Sequence, residues 1–232
     1  MGAPIPWRDE VKRTGKLTIA LDPSVGQQGW AKPFQDGVAA FNALAAQVRL
    51  GITYELTNDQ ANANVVAQAK TTTFRFGYDD GEFKKEEEEY KFDGTSLHGH
   101  CSMLSGEVRN RTTRSYELRM IRAFIFVPAK PRADPVRRGI VGDPVKMVVA
   151  VHEMVHACGL DNGHHTVDDV FCWPKAKYDP KNPDDDRVEA FSGRRENVVI
   201  AGKTIPQPVM VSMPPIVLNA PTQEKIRRLW AV

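Results

Sequence analysis

Cysteine is scarce in this chain of 232 residues, with only Cys101, Cys158 and Cys172. So low and odd a count excludes a small domain stapled by disulfides. It leaves either a single bridge, from Cys172 to Cys101 or Cys158, or three thiols, mostly buried. A dominant charge is also lacking: 31 Lys and Arg stand against 29 Asp and Glu, a formal net of +2, which gives no argument for nucleic acid or a membrane surface as partner. No apolar run approaches transmembrane length. Residues Met1 to Glu10 lack the basic start and apolar core of a secretory signal, and Gly2 is not followed by the Ser or Thr of a myristoylation site. The expectation is a cytoplasmic protein, or one exported by a non-classical route. No internal repeat is present.

What the chain does have is enough apolar residues, 41%, to bury a good core as one domain over 1–232. Lys16 to Asp22 reads as a strand between Gly15 and Pro23. Phe34, Val38, Phe41, Leu44, Ala45 and Val48 recur at helical spacing from about Pro33 to Leu50, with Gly51 closing the run. Ile52–Leu56 and Asn64–Gln68 read as strands, so this half predicts an α/β layer with a crossover helix. Thr71 to Gly94 is polar, with the acidic run Glu86 to Glu89, and reads as a solvated loop or hairpin. Leu97–Leu104, containing His98, His100 and Cys101, and Arg119–Val127 read as further strands. The arginines between 109 and 122 read as solvated surface in preference to a phosphate site. His98 and His100 read as satisfied or exposed strand histidines in preference to a second metal site.

Asp143 is placed as the N-cap of a helix, with Pro144 at its first position and the helix running from Val145 to about Cys158. Gly159 stands where a left-handed residue would end it. On this helix lies His152-Glu153-Met154-Val155-His156. Residues four apart sit one above the other on a helix face, so the two imidazoles can grip one metal ion. Glu153, one step round, can reach a metal-bound water without being a ligand, which is the arrangement of a zinc peptidase. A catalytic zinc takes a third protein ligand, which must come from elsewhere.

The run Val149 to Asp161, with its glycine three residues past the second histidine, resembles the active-site helix of metzincin metallopeptidases, matrixin-like ones in particular. The order of elements is similar to that clan as well: strand, long helix, two strands, edge strand, strand, metal helix. Ser212-Met213-Pro214, followed by a C-terminal helix near Pro221 to Trp230, resembles the methionine turn and ending of the family, with Met210 in reserve. The resemblance implies an α+β zincin-like fold: a twisted mixed sheet with a crossover helix and an active-site helix in an upper lobe of about 15–159. A small irregular lower lobe of about 160–232 would follow, ending in the C-terminal helix. It implies a zinc-dependent endopeptidase, with Glu153 as general base and His152 and His156 as ligands. A peptide substrate would pair with the sheet edge near 97–105.

The chain departs from the pattern at Asn162, where the family carries its third histidine. A slightly longer turn would bring in His165, preferred because His164 directly follows Gly163, with His164 as the alternative. Asp161, Asp168 and Asp169 are oxygen-donor alternatives, and Glu189 is the ligand a gluzincin-like hydrolase would use. A non-catalytic domain with structural zinc is the reading from another class. Asp179, Asp184, Asp185 and Asp186 could gather calcium, though not with EF-hand spacing. Residues 166–208 read mostly as loops that shape a specificity pocket. A monomer acting on protein or peptide is expected, with no nucleic-acid or membrane partner.

Overall fold

The computed structural model describes residues 3–79, 81–109, 113–132, 141–166, 169–171, 195–200, 203–208 and 216–231. A short helix α1 (Asp9–Thr14) leads into β1 (Lys16–Leu21), one turn of helix α2 (Pro23–Gln27), the long helix α3 (Ala31–Val48), β2 (Thr53–Thr57) and β3 (Val65–Lys70). Two hairpins follow: β4 (Phe74–Asp79) with β5 (Lys84–Tyr90), and β6 (His100–Arg109) with β7 (Tyr116–Pro128). Next come α4 (Asp143–Ala157) and a 3-10 turn, Asn162–His164. A third hairpin of β8 (Arg195–Ile200) and β9 (Lys203–Pro208) and a final helix α5 (Ala220–Trp230) complete the chain.

The central sheet has five strands in the order β2-β1-β3-β7-β6; the first four run parallel and β6 is antiparallel at the edge. This is the mixed α/β sheet with a crossover helix that the sequence predicts. Strand β7 shows how the faces divide. Ala123, Ile125 and Val127 point to a large core shared with α3 and α4, while Phe124 and Phe126 join Val66 and Ala20 in a second cluster on the other face. The β4–β5 hairpin lies over that second face through Phe74, Phe76 and Tyr78. Phe76 stands edge-on to Phe124 with ring centroids 4.6 Å apart. Its acidic strand is solvated as expected, laced by pairs such as Arg75–Glu87 and Lys85–Glu88.

Four local differences from the sequence reading have physical causes. Helix α3 ends before Arg49, which itself takes the left-handed conformation (φ 54°), so the stop comes ahead of Gly51. Gly142, not Asp143, is the N-cap of α4; Asp143 sits in the first turn, where its charge still favours the helix dipole. Arg122 is buried, not solvated: it donates to Tyr78 Oη at 2.9 Å and to the Gln60 carbonyl, beneath the aromatic hairpin. Residues 195–200 and 203–208, read as loop because the stretch is rich in Asp, Pro, Lys and Asn and lacks periodicity, form the β8–β9 hairpin, a two-stranded ribbon that tolerates its prolines.

Helix α4 is the element that matters for the site, and it is buried along its whole length from Val148 to Ala157. It packs on α3 where Gly37 leaves room: a Cβ there would stand 3.2 Å from Val151 Cγ2. A helix C-terminus leaves carbonyls unpaired, a costly arrangement when buried. Here three side chains from distant parts of the chain answer them. Tyr54 Oη donates to the Met154 carbonyl at 2.6 Å, Trp7 Nε1 to Ala157 at 2.8 Å, and Trp230 Nε1 to Cys158 at 3.1 Å. Gly159 follows with φ 112°, and a Cβ on it would meet the Ile5 carbonyl oxygen at 2.4 Å. Only glycine fits that turn. The last turn of α4, which carries His156, is therefore clamped by β2, the N-terminal segment and α5.

Candidate metal centre

His152 and His156 lie on one face of α4 with ring centroids 5.0 Å apart. Past Gly159, Asp161 caps the 3-10 turn by accepting from Gly163 N at 2.8 Å. That turn carries the chain back over the helix and delivers His165 to the pair. His165 Nε2 stands 3.1 Å from His152 Nε2 and 3.0 Å from His156 Nε2. The three side chains form a group able to hold a metal ion. His164 turns the other way, with Nδ1 2.6 Å from Asp161 Oδ1. The 3-10 turn thus brings His165 to the cluster and not His164.

The outer nitrogens are held by the backbone. His152 Nδ1 lies 3.0 Å from the Val170 carbonyl, and His156 Nδ1 2.7 Å from that of Leu160. A carbonyl only accepts, so each Nδ1 carries the proton and each Nε2 presents a lone pair to the centre. Both lone pairs face His165 Nε2 at about 3 Å, a place that the N–H of neutral His165 or a metal ion can fill. A tetrahedral ion with metal–nitrogen bonds of about 2.0–2.1 Å sets its nitrogens about 3.3 Å apart, so the two contacts of His165 need to lengthen by only a few tenths of an ångström. Burial holds His152 well below the usual imidazole range and pushes His156 to about 3 and His165 to about 4. All three are neutral at pH 7, the form that ligates. The residues fit a divalent transition metal.

Glu153 is buried beside them. Its Oε2 has no hydrogen-bond partner, and burial pushes the carboxyl up to about 8. An unpartnered buried carboxylate oxygen is expensive for a fold to keep, which marks it as a group aimed at something else. It lines a cleft of about 150 Å³ together with the three histidines, Asn162, and the segment His98-Gly99-His100-Cys101.

His98 and His100, read as satisfied or exposed strand histidines in preference to a second metal site, line this cleft, whereas Gly99 between them and Phe171 escaped the sequence reading. Phe171 packs against all three imidazoles, with ring centroids 5.4, 4.8 and 4.8 Å from His152, His156 and His165. Asp169, weighed as an oxygen donor to the metal, has another role. Its buried carboxylate accepts from Thr166 Oγ1, Phe171 N, Asn219 N and Thr222 Oγ1, tying the ligand loop to the start of α5. Asp161 serves the 3-10 turn. Cys101 and Cys158 are free thiols. Met210, Met213, Asp168, Cys172, Glu189, Asp179, Asp184, Asp185 and Asp186, on which the methionine turn, the gluzincin ligand and the calcium group rest, lie outside the described residues.

The chain matches no protein-family model and no curated protein sequence.

Proposed function

We propose that this protein is a metzincin-like, zinc-dependent endopeptidase. The observation that carries the reading is the convergence of three neutral imidazoles at 3.0–3.1 Å on a cleft into which a buried, unpartnered carboxylate oxygen also faces. Three-histidine sets suit zinc among the common metals, and a fourth position open to the cleft is the mark of a catalytic site over a structural one.

His152, His156 and His165 would hold the ion. Bound zinc would supply a Lewis acid that polarises a carbonyl and lowers the pKa of water. Glu153 takes the proton from the attacking water and passes it to the leaving amine. The Val170 and Leu160 carbonyls keep His152 and His156 in the tautomer that ligates. Among the described residues β6 pairs on one side only, with β7, and its start at His100 borders the cleft. An extended peptide can add to that edge as a further strand, which places its backbone against Glu153.

Glu153→Gln tests the reading. The endopeptidase predicts that the variant binds zinc like the parent and loses peptide cleavage by about 10²-fold or more. A parent protein that takes up zinc yet cleaves nothing across a broad peptide library would place it instead with domains whose metal is structural.

A further inference from the structure

We propose that Gly99 is a positioning residue for Glu153: the bare backbone at the mouth of β6 sets where the carboxylate lies. Gly99 is not among the glycines that need a positive φ. What it provides is space. A Cβ at this position would stand 2.7 Å from Glu153 Cγ, 2.7 Å from Oε1 and 2.8 Å from Cδ, closer than real Cβ atoms come to any neighbour. All three of these nearest atoms belong to Glu153. The wall of the cleft at residue 99 is therefore shaped around one side chain, and that side chain is buried on the best-anchored helix of the fold.

The contact also predicts how the site fails. The atoms in the way are the far end of a side chain, so an added methyl is relieved by moving the carboxylate and not by unfolding the sheet. His152, His156 and His165 are held by other partners, the Val170 and Leu160 carbonyls and Phe171, and keep their places. Gly99→Ala thus separates the carboxylate from the metal set. Displacing a reacting group by about 1 Å costs about 10²-fold in rate.

The catalytic arm of this inference rests on Glu153 being the general base; the structural arm does not. The experiment uses the full chain with Gly99→Ala, Glu153→Asp and the double variant. In metal-free protein labelled with [δ-13C]glutamate, the Glu153 carboxyl resonance, assigned with Glu153→Gln, should move in Gly99→Ala while the histidine ring resonances stay. With zinc, stoichiometry should remain one per chain, kcat should fall about 10²-fold and KM should change little. Glu153→Asp, shorter by one methylene, should cost distinctly less in the Gly99→Ala background than in the parent, a non-additive pair. An unmoved Glu153 resonance overturns the contact. A moved resonance with unchanged kcat, or strictly additive losses, overturns the positioning role. If the parent cleaves no peptide, the endopeptidase reading fails by itself, and the resonance in metal-free protein still decides the contact. Should Gly99→Ala not fold, recovery of folding in the double variant supports the contact and its absence overturns it.

Discussion

The loop that carries His165 and helix α4 each bury one acid, and they treat it in opposite ways. Asp169, fully buried in the loop, accepts four hydrogen bonds at 2.6, 2.8, 2.9 and 3.1 Å. Glu153, equally inaccessible on α4, has an oxygen with none. A buried acceptor that is fully paired contributes to stability, whereas one left unpaired costs about 1–3 kcal/mol. The loop spends its carboxylate on holding Thr166, Phe171 and the first turn of α5 together, so that His165 and Phe171 arrive at the right place. The helix keeps its carboxylate free for the cleft. Hydrogen bonding thus separates an acid that ties the loop together from one whose oxygen is left open to the cleft.

The comparison breaks first at Glu153. Glu153→Gln should leave metal-free stability within about 1 kcal/mol of the parent in denaturant titrations while cleavage falls by about 10²-fold or more. Asp169→Ala should do the reverse in kind: it leaves four donors without their acceptor and should cost about 3–5 kcal/mol of stability. Its metal affinity should fall too, because the loop carrying His165 loses its tie to α5. Thr222→Val removes one of Asp169's four donors and should cost only about 1 kcal/mol by the same titration, with zinc stoichiometry intact.

A fourth expectation concerns pH, beneath the same helix. Burial pushes the Cys158 thiol up to about 12, well above a free thiol near 8.5. The folded state therefore holds the proton more tightly than the unfolded one. The stabilisation is complete below the unfolded value and is lost as pH rises from there toward 12. Unfolding free energies measured between pH 8 and 11 should decline, and Cys158→Ala should flatten that slope. An unchanged slope in the variant would show that Cys158 is not the group responsible.

The regular parts of the fold were legible because they obey simple periods. The apolar positions of α3 recur at helical spacing, and Arg119–Val127 is long and apolar enough to read as a strand. The two ligands on α4 were legible for the same reason, since four residues make one turn. His165 was preferred over His164 in the sequence on the strength of Gly163 alone; the 3-10 turn that Asp161 caps, which brings it to the pair, is a feature of backbone geometry that no residue type announces. The role of Asp169 was hidden because its partners come from residues 166, 171, 219 and 222, on both sides of a long excursion of the chain. Arg122 was misread because a single arginine in a strand looks the same in sequence whether water or an aromatic hairpin covers it. Gly99 was passed over because it sat inside the run Leu97–Leu104 read as a strand, where nothing in the sequence announces the approach of the Glu153 side chain.

The account turns on a metal held by three imidazoles. The most direct measurement is zinc stoichiometry on the purified, dialysed protein and on His156→Ala and His165→Ala. The account predicts one zinc per chain for the parent, with affinity reduced by about 10²-fold or more in each variant. A parent that stays metal-free after incubation with zinc, or variants that bind it as well as the parent, would contradict it.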